Sequence, residues 1–187
     1  MTTQPYLPPI ERPAGLMLKL AYFFTRRRFG KVLAPLKIHS ARLPIAFGLF
    51  YGKISELDRK LTLPPGLVVL IRQRVAAINV CSFCVDIARA IAIRAVMDDA
   101  KFDDLERYRT SEHFNEAERA ALDFSSELTK DHKASPEQFE RLSQHFNERQ
   151  ICEILWLVAT EHVYNITNIG LNIHSDQLCI LAKQSRK

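Results

Sequence analysis

The chain has 187 residues, 47% of them hydrophobic and 25% charged, which fits one globular domain and excludes a fibrous or disordered chain. A net charge of +5 is no nucleic-acid signature, and four cysteines are too few for a secreted disulfide scaffold. Residues 1–14, with Pro5, Pro8, Pro9 and Pro13, read as an extended arm ahead of a single domain over 15–187. Residues 15–29 read as a first helix, apolar on Leu16, Leu18, Leu20 and Phe23. Its end carries Arg26, Arg27 and Arg28, where cations suit the helix dipole. A second helical stretch lies within 41–60, starting near Pro44, with Ile45, Phe47, Phe50, Ile54 and Leu57. Pro64-Pro65-Gly66 marks a break and a new start. Leu67, Leu70, Ile71, Val75 and Ile78 then form one helical stripe over 67–79, and 81–97 continues as another helix.

The stretch 98–113 is polar, with a short helix through Leu105. Asn115, with Glu118 three residues on, opens a helix over 115–130 as a variant capping box. Ser135-Pro136 gives a second start signal. The last long helix covers about 148–172, with Ile151, Ile154, Leu155 and Val158 in its stripe. No convincing strand pattern occurs, so the expected fold is all-α, with six to eight helices in a bundle-like or orthogonal array. No stretch reads as a transmembrane span. Near the start, the basic residues follow the apolar run instead of preceding it as in a signal peptide. The expected compartment is the cytoplasm, with neither membrane nor nucleic acid as a partner.

The informative cysteines are the pair Cys81-Ser82-Phe83-Cys84. Residues three apart share a helix face, so the two thiols can interconvert between dithiol and disulfide. At a helix N-terminus the dipole and free N–H groups favour the thiolate, the species that attacks peroxides and disulfides. Two other readings stand beside this one: a pair of small buried apolar residues, and half of a zinc site. Zinc lacks support, because Cys152 and Cys179 are distant and no histidine lies within ten residues of the pair. A thioredoxin-like reading requires a βαβ setting, and the flanks are helical.

The region from Leu67 through Cys84-Val85-Asp86 resembles the core of the carboxymuconolactone decarboxylase / alkyl hydroperoxidase D-like family. His39-x-x-x-Leu43-Pro44 resembles the segment that precedes that core. The run Asn115-Glu116-Ala117-Glu118-Arg119-Ala120-Ala121-Leu122 is similar to a later family helix, and Glu153 with Tyr164-Asn165-x-x-Asn168 to the last long one. The resemblance covers roughly residues 35–180 and implies a helical homo-oligomer. It also implies that Cys84 attacks a hydroperoxide or disulfide, that Cys81 resolves the intermediate, and that an external thiol reductant resets the pair. No Gly-x-Gly-x-x-Gly fingerprint occurs, so no cofactor is expected, and no metal. The redox branch of the family places a Glu twelve residues before the first cysteine and a His four after the second. Here those positions hold Val69 and Ala88, and Val80 stands where a Gly is common.

A thiol without a neighbouring base keeps a pKa near the free value of about 8.5. The last helix offers a substitute: Glu161, Asn165 and Asn168 form a polar line, with His162 beside them. They either satisfy one another or face the cysteines, and Glu161 or His162 is then the expected base. Asp86 is expected to be solvated or ion-paired, and Arg72 and Arg74 to make surface or interface salt bridges. Three functions compete. The first is a thiol oxidoreductase of the peroxidase type. The second is a degenerate member acting as a small-molecule binding or interaction module. The third is carbon–carbon chemistry on a lactone, which the cysteine pair disfavours.

Overall fold

The computed structural model describes residues 4–97 and 99–185. Among these it contains ten α-helical segments and no strand. They are α1 (Leu16–Phe29), α2 (Pro44–Ala46), α3 (Gly52–Asp58), α4 (Pro65–Ile78) and α5 (Ser82–Arg94), followed by α6 (Asp99–Asp103), α7 (Glu116–Asp131), α8 (Pro136–Ser143), α9 (Glu148–Gly170) and α10 (Leu178–Gln184). π-Helical turns span Leu36–Ser40 and Phe47–Tyr51; the second fuses α2 to α3. The all-α expectation holds, but six to eight helices is an undercount. The segments α2, α6 and α10 are too short to display a 3.6-residue period.

Helix α4 is the centre of the molecule and packs against α5, α7 and α9. Leu70, Ile71, Val75, Leu122, Ile154 and Leu157 fill the space between them with no more than 1% exposure. The helix starts are built as the sequence indicates. Asn115 and Glu118 form a reciprocal capping box, and the Ser135 side chain accepts from the Gln138 N–H. Asn147 and Gln150 form a second box at the start of α9.

The outward side of the N-terminal half departs from expectation. Helix α1 buries Leu18, Tyr22 and Phe29, while Leu16, Leu20 and Phe23 of the expected apolar side are exposed. In the next stretch Ile54 is buried, but Ile45, Phe50 and Leu57 are exposed. On α9, Leu155 is likewise exposed. Periodicity tells which residues are apolar but not whether this chain's own core covers them. The two exposed sides adjoin: a Cβ on Gly48 would lie 2.7 Å from Met17 Sδ, so the missing side chain lets α1 rest on the α2–α3 segment. Residues 4–14 form no helix but are fastened to the body. Tyr6 N–H donates to Leu171 O at 3.1 Å, and the Tyr22 hydroxyl to Ile10 O at 2.6 Å.

Candidate functional site

The turn between α4 and α5 delivers the cysteines. Cys81 N–H bonds back to Ala76 O at 2.9 Å and Val80 N–H to Ala77 O at 3.1 Å, the double closure of a Schellman turn. That turn requires a left-handed residue, and Val80 supplies it at φ 57°. A β-branched residue is strained there, which explains why glycine suits this position. The next residue, Cys81, is the N-cap of α5, and its sulfur accepts from the Cys84 N–H at 3.3 Å. Both cysteines sit in the strongest field of the helix N-terminus. They are joined as a disulfide with Cα atoms 5.3 Å apart, and both are buried.

Helix α9 lies across the pair. Asn168 Nδ2 donates to Cys84 Sγ at 3.3 Å and is 3.9 Å from Cys81 Sγ. One turn and two turns earlier on α9 come Asn165 and Glu161. Asn165 Nδ2 donates to Glu161 Oε1 at 2.7 Å, and Asn79 Nδ2 donates to Asn165 Oδ1 at 2.8 Å. The polar line therefore does both things expected of it: Glu161 and Asn165 satisfy one another, while Asn168 faces the sulfurs.

Glu161 also accepts from Arg72 at 3.1 Å, and Arg72 reaches Asp58 at 2.8 Å. Trp156 Nε1 donates to the other Asp58 oxygen at 3.0 Å. Arg72 is thus part of an inward-facing charged network, not a surface pair. Arg74 instead bonds Ser126 and Glu106. Burial pushes the Glu161 carboxyl above its ordinary value, against the pull of Arg72 and Asn165. Tyr164, stacked on Tyr51, is pushed up to about 12 by burial.

A cavity of about 380 Å³ opens onto this arrangement. Cys84, Asn168, Glu161, Arg72, Asp58 and Arg28 are among its polar lining; Phe29, Leu33, Phe83, Ile87 and Ile91 supply much of its apolar wall. His39 also lines it, with its pKa lowered by burial. Cys81 does not line this cavity.

The two base candidates are separated. Glu161 shares the cavity with Cys84, whereas His162 lies 3.5 Å from Asn79, faces the His132 ring and does not line the cavity. Consecutive helical residues point about 100° apart, and Arg72 and Asn165 hold Glu161 on the inward side. Of the two positions that lack the family's relay residues, Val69 packs in the main core, while Ala88 lines the cavity beside Cys84. Asp86 corrects its expectation: it is buried and accepts from the N–H groups of Leu178 and Cys179 at 2.8 and 2.9 Å, capping α10. Although burial raises its pKa, these bonds hold the carboxyl below the usual range. Glu153 is also structural, accepting from Thr62 and Leu63 ahead of α4. Sequence reasoning missed Arg72 and Asp58 as cavity residues. The signal for Arg72 was the polar run Arg72-Gln73-Arg74 set between apolar stretches of one helix, α4.

Among the described residues, no group of three or more His, Cys, Asp or Glu is placed to hold a metal. No helix among them is long and apolar enough to cross a membrane.

No protein-family model matches the chain. It is 27% identical to the uncharacterized protein YnjA of Escherichia coli K12 over 175 residues, covering 92% of this chain and 95% of YnjA. Among solved structures it is similar to an AhpD-like protein of unknown function from Agrobacterium tumefaciens, at 25% identity and TM-score 0.68 over 74% of this chain and 96% of that one. The apo debrominase Bmp8 matches at TM-score 0.80 and 21% identity over 100% of both chains. An uncharacterized peroxidase-related AhpD core protein from Ralstonia eutropha matches at TM-score 0.77 and 20% identity, over 94% of this chain and 97% of that one. These neighbours support the alkyl hydroperoxidase D-like family. The chain has that helical fold and carries within it a disulfide-bonded Cys-x-x-Cys pair.

Proposed function

We propose that the protein is a thiol oxidoreductase that reduces hydroperoxides through a Cys81–Cys84 dithiol/disulfide cycle. The observation that carries this reading is the cavity that Cys84 lines, with Asn168 donating to the Cys84 sulfur. In the reduced enzyme the Cys84 thiolate attacks one peroxide oxygen. The S–O bond forms, the O–O bond breaks, and the leaving alkoxide takes a proton to depart as an alcohol. Cys81 then attacks the Cys84 sulfenic acid, closing the disulfide and releasing water. We assign proton movement to Glu161, which lines the same cavity as Cys84 and whose carboxyl burial raises above its ordinary value. The apolar wall favours an organic hydroperoxide over hydrogen peroxide. An external thiol resets the pair, in keeping with a cytoplasmic setting.

A second copy of the chain covers the exposed apolar side of α1 and α2–α3, where Leu16, Leu20, Phe23, Ile45, Leu49 and Phe50 stand in water. This gives the homo-oligomer that the resemblance implies.

The test is rapid-mixing measurement of thiol loss on adding cumene hydroperoxide to reduced protein. Wild type loses its two site thiols far faster than free cysteine does, and Cys84→Ser does not. Loss in wild type no faster than free cysteine overturns the reading in favour of a binding module. A second reading, reductive removal of halogen from an apolar ring, rests on the same apolar cavity and on the likeness to a debrominase over the whole chain. Halide release from a brominated pyrrole, with disulfide formation, would favour it.

A further inference from the structure

Two arginines line the cavity, Arg72 and Arg28. Arg72 is held by Asp58 and Glu161, the carboxylates that also line it. Arg28, exposed on the last turn of α1, has no carboxylate partner among the described residues. Its guanidinium lies 5.2 Å from the centre of the Phe29 ring, which is itself part of the cavity wall. Arg94, the last residue of α5, brings a second guanidinium to 5.7 Å from the same ring. It too is exposed and without a carboxylate partner among the described residues.

A helix C-terminus suits a cation, and each of these arginines stands at one. That accounts for the sign of each, but not for bringing both to one ring. Arg26 and Arg27 add to the charge on the last turn of α1. Like charges gathered without a counter-charge raise the local potential and attract an anion. The wall to which Phe29 belongs is apolar, with Leu33, Phe83, Ile87 and Ile91. An anionic head and an apolar body are therefore both provided for. The cavity volume of about 380 Å³ falls at the small end of the roughly 300–1,000 Å³ of ligand pockets. It has room for one hydrocarbon chain and not for a two-chain lipid.

We infer that the cavity binds a single-chain aliphatic carboxylate, with its chain against the apolar wall and its head group at Arg28, where Arg94 adds positive charge. A guanidinium pairs with a carboxylate through two parallel N–H donors, so the head group is oriented as well as held. The binding stands on the cavity and its cations; its bearing on the reaction rests on the dithiol/disulfide reading above. On that reading the substrate is a fatty acid that carries a hydroperoxide on its chain, and the product is the hydroxy acid. The terminal peroxide oxygen goes to the Cys84 sulfur and leaves as water when Cys81 closes the disulfide. Cumene hydroperoxide, which has no anionic head, uses the apolar wall alone.

The experiment is calorimetric titration of the disulfide form, in which no redox step occurs, with decanoate and with 1-decanol, the same chain without the charge. Wild type is expected to bind decanoate about tenfold more tightly than 1-decanol. Arg28→Gln weakens decanoate about fivefold, the worth of one exposed ion pair, and leaves 1-decanol within about twofold. Adding Arg94→Gln removes the remaining preference. Lys133→Gln, the same change of charge at a residue outside the cavity lining, leaves both ligands unaffected. Thr25→Trp, on the cavity wall, weakens both ligands and so locates them there. Three results would each overturn the inference: equal binding of the two ligands by wild type, decanoate binding at wild-type strength in the Arg28→Gln/Arg94→Gln protein, or decanoate binding untouched by Thr25→Trp. Carboxylate-dependent binding in a protein whose thiols react with no hydroperoxide would instead sink the proposed function alone.

Discussion

Asn168 donates an N–H to the Cys84 sulfur, and its amide is neutral. In the proposed cycle this N–H is the group that stabilises the Cys84 thiolate. Asn168→Leu is expected to slow peroxide reaction at pH 7 about tenfold, read by rapid mixing, because a hydrogen bond to a charged group is worth about 1.5–3 kcal/mol. Glu161→Gln keeps the bond to Asn165 but cannot carry a proton. The expected loss is about a hundredfold in the same assay, with a flattened pH profile. Val80 makes the opposite kind of prediction. Val80→Gly relieves a left-handed β-branched residue and should raise stability by about 1 kcal/mol in denaturant melts, without altering the cysteine chemistry. The cysteines, Glu161 and Asn168 were legible in the sequence because helical spacing put the last two on one line. That His162 faces away was not legible, since it depends on how α9 is rotated against α5.

The helices show the same division between local and distant information. The capping boxes and the Ser135 start are written within four residues and were readable, apart from the Asn147 box, which went unnoticed. Helix α10 was not readable. It is seven residues long, and its N-terminal N–H groups are capped by Asp86, 92 and 93 residues away in sequence. Asp86→Ala frees both N–H groups, at a cost of about 2–3 kcal/mol in thermal or urea unfolding. It should also change the acid limb. Because the folded Asp86 carboxyl lies below its unfolded value of about 3.9, its contribution is fully present above that pH. That contribution is lost as pH falls through the folded value. Stability profiles of wild type and Asp86→Ala therefore converge at low pH. Profiles that stay parallel down to the acid transition would refute this role for Asp86.

In the whole molecule, one turn between α4 and α5 brings Cys84 to the wall of a largely apolar cavity that α9 also lines. The apolar face of α1 and α2–α3 adds an expectation about assembly. Phe24, 61% exposed, stands on that face, so Phe24→Glu should shift sedimentation toward the monomer while leaving the cysteine pair intact. Which apolar faces are covered within one chain could not be read from periodicity.

The central claim is that Cys84 is the sulfur that meets the oxidant. Cys81→Ser removes the resolving thiol and should trap the intermediate. The reduced variant is treated with one equivalent of cumene hydroperoxide in the presence of dimedone and mapped by mass spectrometry. One dimedone adduct is expected, on Cys84. In the Cys84→Ser protein none is expected on Cys81. Labelling of Cys81 in Cys84→Ser at the rate seen for Cys84, or no adduct in Cys81→Ser, would contradict it.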